Sequence, residues 1–137
     1  MTLIDTSAWV EYFRATGSGA HLQVRRVLES DRPLHTSEVI VMEVLAGGRD
    51  EAHTARLRAL LARCEFVPID GLGDYEAAAA IFRRCRRVGE TVRALTDCLI
   101  AAVAIRSDID VLQADRDFDV IARHTDLELF VEPRRAR

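Results

Sequence analysis

The sequence predicts an α/β fold: a three-layer sandwich with a mostly parallel central sheet flanked by helices. Two observations predict it. Short apolar runs that read as buried strands alternate with amphipathic helical stretches along the whole chain. Acidic residues also follow the apolar runs closely, Asp5 after Leu3-Ile4 and Asp115 after Val111-Leu112, and the carboxyl ends of parallel strands are where an open sheet collects its ligands.

The elements follow in order from periodicity and punctuation. The first strand covers about Thr2 to Asp5, and Ser7 is placed to cap a helix carrying Ala8, Trp9, Tyr12 and Phe13, which the Gly17-Ser18-Gly19 loop ends. A helix from about His21 to Glu29 shows Leu22, Val24, Val27 and Leu28, and Arg32-Pro33 then feeds a strand at Leu34 to Thr36. Ser37 is the expected cap of a helix running through Glu43 and closed by Gly47-Gly48. Residues 50 to 63 form a helix with Leu57, Leu60 and Leu61 on one face, followed by a strand at Phe66 to Ile69. From Tyr75 to Val88, the residues Ala78, Ile81, Phe82, Cys85 and Val88 make an amphipathic stripe. An apolar helix beginning near Asp97, with Thr96 as its cap, leads to a strand at Val111 to Ala114. A helix from Phe118 to His124 and a last strand at Leu127 to Val131 complete the series.

Four of the carboxylates are out of place for an apolar setting. Glu43 lies in Val39-Ile40-Val41-Met42-Glu43-Val44-Leu45 and shares a helical face with Val39 and Ile40. Asp5 and Asp115 follow buried strands, and Asp97 stands at the start of Leu99 to Ile105. A charge in such surroundings protonates, pairs or binds a metal. Four that converge on one sheet edge repel one another without a cation. Oxygen-only donors, with no His or Cys at ligand spacing, favour Mg²⁺ or Mn²⁺ over zinc.

Composition narrows the class. The chain has 137 residues, 49% hydrophobic and 30% charged, with net charge −3, which fits one domain over residues 1–132 and a basic, frayed tail at 133–137. The longest apolar run, Leu99 to Ile105, is far short of a membrane span. Met1-Thr2-Leu3-Ile4-Asp5 does not read as a signal peptide, so the expected location is the cytoplasm. Cys64, Cys85 and Cys98 are odd in number and read as reduced, buried thiols. All 19 basic residues are Arg. The absence of Lys excludes a phosphate loop that ends in Gly-Lys, Schiff-base chemistry, and a response-regulator receiver domain.

Four motifs in order carry a family resemblance: Asp5-Thr6-Ser7 after the first strand, Glu43, Thr96-Asp97-Cys98-Leu99-Ile100-Ala101-Ala102, and Asp115-Arg116-Asp117-Phe118. Over about Leu3 to Val131 the chain resembles the PIN-domain ribonucleases, and among them the VapC toxins of type II toxin–antitoxin systems. One departure is local, Gln113-Ala114 standing where many relatives have Thr or His. A haloacid-dehalogenase-type phosphatase is disfavoured, because that family wants a second Asp at the position of Ser7.

The resemblance implies a PIN-like sandwich and a Mg²⁺-dependent endoribonuclease, Mn²⁺ substituting, that leaves 5′-phosphate and 3′-hydroxyl ends on tRNA, rRNA or mRNA. Asp5, Asp97 and Asp115 are the expected ligands, with Glu43 a ligand directly or through water. Asp117 either adds a ligand or caps the helix from Phe118. Ser7 either caps its helix or reaches a metal-bound water or the scissile phosphate. Thr6 is assigned only to the backbone. Because an acidic site repels a polyanion, RNA needs cations elsewhere. Arg83, Arg84, Arg86, Arg87 and Arg93 are the candidates, the first four being equally readable as a solvated face. The implied partners are the RNA substrate, a cognate VapB-type antitoxin that places a basic side chain among the carboxylates, and a second copy in a homodimer. Trp9, Tyr12 and Phe13 are candidate antitoxin contacts. A catalytically weak RNA- or antitoxin-binding module and a DNA nuclease are the competing readings.

Overall fold

The computed structural model describes residues 1–133, and Arg134, Arg135, Ala136 and Arg137 of the expected tail lie outside the described residues. The elements are β1 (Thr2–Ile4), α1 (Thr6–Phe13), α2 (Gly19–Glu29), β2 (Leu34–Thr36), α3 (Glu38–Ala46), α4 (Glu51–Leu61), β3 (Glu65–Phe66), α5 (Gly71–Arg87), α6 (Leu95–Ser107), β4 (Asp110–Leu112) and α7 (Arg116–His124). The sheet has the order β3-β2-β1-β4 and every ladder is parallel.

That order builds the three layers. The crossovers from β1 to β2 and from β2 to β3 step one way across the sheet, and the crossover from β3 to β4 steps back. Right-handed connections put helices from opposite steps on opposite faces. Accordingly α1 packs on α2 and α3, and α3 on α4, while α5, α6 and α7 pack on one another. The reversal falls between β1 and β4, where Leu3 is in register with Val111 and Ile4 with Leu112. An open α/β sheet binds ligands at such a reversal.

The core is aliphatic around Trp9 and Phe118, both fully buried. Its central rod is α6, buried without interruption from Asp97 to Ala104. A helix apolar on every side must lie inside the molecule, and one carboxylate, Asp97, goes in with it.

Several boundaries differ from the sequence reading, each for a local reason. Helix α1 starts at once after β1, so the extended residue preceding it is Asp5, which takes the N–H of Ser7 as the cap. Ser7 is inside the helix and caps nothing. Helix α6 begins at Leu95 with Ala94 before it, which leaves Thr96 in the first turn with no capping bond. The cap of α7 is Asp115, which accepts from the N–H of Asp117. Ser37 precedes α3 as expected, but its hydroxyl donates to Glu38 instead of capping the backbone.

Helix α5 starts at Gly71, a turn before Tyr75, because the Asp74 carboxylate reaches back to the N–H of Asp70 at 2.7 Å. Strand β3 is cut to Glu65–Phe66, with Pro68 close behind and unable to donate to a ladder. The expected last strand is a single parallel bridge from Leu129 to Val111, closed by Val111 N–H to Glu128 O and Phe130 N–H to Val111 O.

Candidate metal centre

The backbone brings the acidic residues together before any side chain is considered. The N–H of Asp5 donates to Leu112 O at 2.9 Å, so the ends of β1 and β4 are tied side by side. Asp115, the cap of α7, follows three residues after Leu112. The first turn of α6 enters the same end of the sheet, its helical dipole favouring an anion at Asp97. One oxygen each of Asp97, Asp115 and Asp117 lies within 4.8 Å of the others.

Each carboxylate is held by a different device. Asp5 Oδ2 accepts from the N–H and the hydroxyl of Ser7 at 2.9 and 2.5 Å. Ser7 Oγ in turn accepts the N–H of Ala114 at 2.9 Å, clasping β1 to the loop after β4. Asp115 accepts from Asp117 N–H at 2.9 Å, and its own N–H donates to Gln113 Oε1 at 2.7 Å. Asp117 Oδ2 takes the N–H groups of Arg93 and Ala94 at 3.0 and 3.3 Å, fixing the entry to α6. Glu43 reaches out of α3 and accepts the Thr6 hydroxyl at 3.1 Å.

Of the oxygens of these five carboxylates, Asp5 Oδ1 and Asp97 Oδ2 are buried with no hydrogen-bond partner. A buried carboxylate oxygen without a donor is costly. Burial is the main cause that lifts Asp97 from 3.8 to about 8, followed by the charges of Asp5, Asp115, Asp117 and Glu43 in that order. Burial likewise raises Asp5 from 3.8 to about 6, against the lowering effect of its Ser7 hydrogen bonds and with a further push from Glu43. Oxygen-only donors, crowded, with bare lone pairs and mutual repulsion, fit a small hard dication. A bound cation would offset the repulsion among these carboxylates.

The chain matches the PIN-domain family over residues 2–124. Ribonuclease VapC11 of Mycobacterium tuberculosis is 50% identical over 129 residues, 93% of this chain and 96% of the relative. The chain belongs to the PIN-domain family, among the VapC ribonucleases. A VapC ribonuclease of Mycobacterium bovis matches to the same extent. Among solved structures, VapBC2 of Rickettsia felis bound to a promoter DNA fragment superimposes with a TM-score of 0.73 at 16% identity, covering 94% of this chain and 96% of that one. VapC20 of Mycobacterium tuberculosis, described as a sarcin-ricin loop cleaving toxin, gives 0.65 at 17% identity over 93% and 99%. At such identities these two speak for the fold alone.

In this PIN domain the sequence-derived residues sort into three groups. Asp97, Asp115 and Asp117 form the tight triad, and Asp5 and Glu43 stand beside it, close enough to bear on Asp97 electrostatically. The capping alternative for Asp117 gives way, since Asp115 fills that role. Arg93 lies against the triad, its guanidinium 3.6 Å from Asp115 and 3.5 Å from Asp117. Arg83, Arg84, Arg86 and Arg87 are exposed at the end of α5 that leads into the Arg93 loop. There Arg84 donates to His124 O and Arg86 lies over the Phe82 ring. Of the aromatic candidates, Trp9 is core, while Phe13 lines a cleft of about 360 Å³ that also has Glu43 in its wall.

Sequence reasoning misses one contributor: the Thr6 hydroxyl orients Glu43. At the departure noted above, Gln113 holds the Asp115 loop by accepting the N–H of Asp115. The signal for Thr6 was its place inside Asp5-Thr6-Ser7, between two residues already singled out. Of the three thiols expected to be buried, Cys85 and Cys98 are, and Cys64 is only partly so; burial pushes Cys98 up to about 12. Among the described residues no helix is long and apolar enough to cross a membrane.

Proposed function

We propose that this chain is the toxin of a VapBC-type pair and hydrolyses RNA phosphodiester bonds at the acidic centre, with residues 1–132 acting as one PIN domain in the cytoplasm. The observation that carries the reading is the triad of Asp97, Asp115 and Asp117 together with the bare, buried oxygen of Asp97. Asp5, Asp97, Asp115 and Asp117 would hold Mg²⁺, or Mn²⁺ in its place, with Glu43 contributing directly or through water. The bound ion supplies Lewis acidity, which lowers the pKa of water and offsets charge on phosphate oxygens.

The chain's own groups do the positioning. Ser7 spends its hydroxyl proton on Asp5 Oδ2, and Oδ1 keeps no hydrogen-bond donor, so it would be available as a ligand atom. Thr6 holds one oxygen of Glu43, and the other remains available to a water or to the ion. Gln113 and the cap at α7 keep Asp115 from turning to solvent. Ionised at the site, these carboxylates also repel an incoming phosphate, so Arg93 and the exposed arginines at the end of α5 are needed to bring RNA in.

Antitoxin recognition fits the same geometry. A segment laid along the cleft beside Phe13 would pass Glu43, and a basic side chain carried by it would neutralise the carboxylates in place of the ion. The relatives solved as VapBC assemblies support an antitoxin partner, and a homodimer is the expected assembly of the toxin itself.

Cleavage of total tRNA and structured rRNA fragments by the purified protein tests the reading, in Mg²⁺ or Mn²⁺ against EDTA and beside Asp97→Asn. Metal-dependent cuts with 5′-phosphate ends, lost in the variant, are expected. Inert protein that still binds metal would favour a binding module, and preference for single-stranded DNA would favour a DNA nuclease.

A further inference from the structure

Arg93 stands on the loop between α5 and α6 with 68% of its side chain exposed, yet the guanidinium is turned back onto the triad. Its Nη2 faces Asp115 Oδ1 and its Nε faces Asp117 Oδ1, at 3.6 and 3.5 Å. These are ion-pair distances, too long for good hydrogen bonds. The backbone beneath is fixed separately, because Arg93 and Ala94 N–H both donate to the other oxygen of Asp117. The result is a loosely held cation on a rigid mount. Among the described residues, no other arginine lies within ion-pair distance of Asp97, Asp115 or Asp117.

We propose that Arg93 is an internal counter-cation that competes with the divalent ion for Asp115 and Asp117, is released when the ion binds, and then holds a phosphate of the RNA. The proposal rests on the nuclease reading and adds a coupling to it. A guanidinium and a dication cannot face the same two carboxylates without repelling each other. Once displaced, the side chain stays tethered at the rim of the site by its fixed backbone. A planar fork of N–H donors there matches the oxygens of a phosphate. The ion therefore frees the arm that binds RNA, and RNA that captures the arm raises affinity for the ion, as linkage requires.

A merely structural arginine predicts the opposite sign for metal. If Arg93 served to hold the triad together, removing it would weaken the ion's site. If it competes, removing it strengthens that site and weakens RNA binding.

The test uses Arg93→Gln, which deletes the charge and keeps both backbone donors, and Arg93→Lys, which keeps the charge. Mn²⁺ binding is followed by titration calorimetry on the protein alone. RNA binding is followed by fluorescence anisotropy of a labelled single-stranded oligonucleotide in Ca²⁺, which also takes oxygen ligands. Arg93→Gln is expected to bind Mn²⁺ about threefold to tenfold more tightly, the range for an exposed charge pair with two partners. It is expected to bind RNA several-fold more weakly, with the salt dependence reduced by about one phosphate contact. Arg93→Lys, which keeps the charge and loses the fork, should stay near wild type for Mn²⁺ and fall between wild type and Arg93→Gln for RNA. Mn²⁺ affinity that is unchanged or lower in Arg93→Gln overturns the proposal, and so does unchanged RNA affinity. Wild-type protein that binds no Mn²⁺ defeats the nuclease reading together with this one, whereas tight wild-type binding that the Gln variant does not improve defeats this one alone.

Discussion

Replacing Asp97 by Asn should make the metal-free protein more stable while destroying its metal site. Asp97 is buried, one of its oxygens has no donor, and four other carboxylates bear on it, so the folded chain keeps a proton on it up to about pH 8. In the unfolded chain the same group titrates near 3.8. Between those values the unfolded state releases the proton and the folded state keeps it, so stability falls as pH rises. At about 1.36 kcal/mol per unit, the loss at pH 7 comes to about 4 kcal/mol. Solvent screening at the open side of the site reduces this to about 2–3 kcal/mol.

An amide of the same shape cannot ionise and escapes that loss. Thermal unfolding in EDTA at pH 7 should therefore show Asp97→Asn melting about 6–9 °C above wild type, at roughly 3 °C per kcal/mol for a chain of this size. The gap should close below about pH 4, where both states of the wild type are protonated, and level off above about pH 8. Added Mg²⁺ should raise the wild-type melting temperature and leave the variant unmoved. A variant that melts at or below wild type in EDTA at pH 7 would refute the reasoning.

Other substitutions read single contacts. Thr6→Val removes the hydroxyl that orients Glu43; melting should shift by less than about 1 kcal/mol, while RNA cleavage at limiting Mg²⁺ drops several-fold, and equal activity across a Mg²⁺ titration would contradict that. Ser7→Ala cuts the clasp between β1 and the 113–115 loop, with an expected loss of about 1–3 kcal/mol in urea unfolding. Arg106→Met strands Asp74, a buried carboxylate bound by Nε at 2.9 Å, and also removes the donor to Pro68 O. The expected loss is about 2–4 kcal/mol near neutral pH. The Arg106 hydrogen bonds hold the Asp74 carboxyl below its usual range, so this stability is present above pH 4 and lost as pH falls through the depressed value. Acid titration of Arg106→Met should show a smaller fall than wild type.

The acidic set was legible in the sequence because its members violate burial rules that operate locally. A carboxylate after Leu3-Ile4 or within Val39 to Leu45 is anomalous without any knowledge of what it faces, and their order along the chain matched the strand ends that converge. The devices that aim them were harder to read. Whether Asp5 or Ser7 caps α1 depends on how many residues separate strand from helix, and only Asp5 does. The cap of α7 falls to Asp115 instead of Asp117 for a similar reason, a shift of two positions in the start of the helix. Asp74 was missed because its partner Arg106 lies 32 residues away on another helix, and no periodicity links them. The last strand shrank to a bridge at Leu129, since apolar character alone does not say how many ladder bonds a neighbour will accept.

The position of β1 has a consequence for how such a protein is made. Of the four described strands this one is made earliest, yet it lies between β2 and β4, and one of its two hydrogen-bonded neighbours is the latest of the four. At about 5–20 residues per second, roughly 6–20 s separate Asp5 from Asp117. Throughout that interval the nascent chain holds an acidic strand end with nothing opposite it. The acidic centre is therefore assembled only after Asp117 has been made and the first turn of α7 has docked beside the ends of β1 and β4.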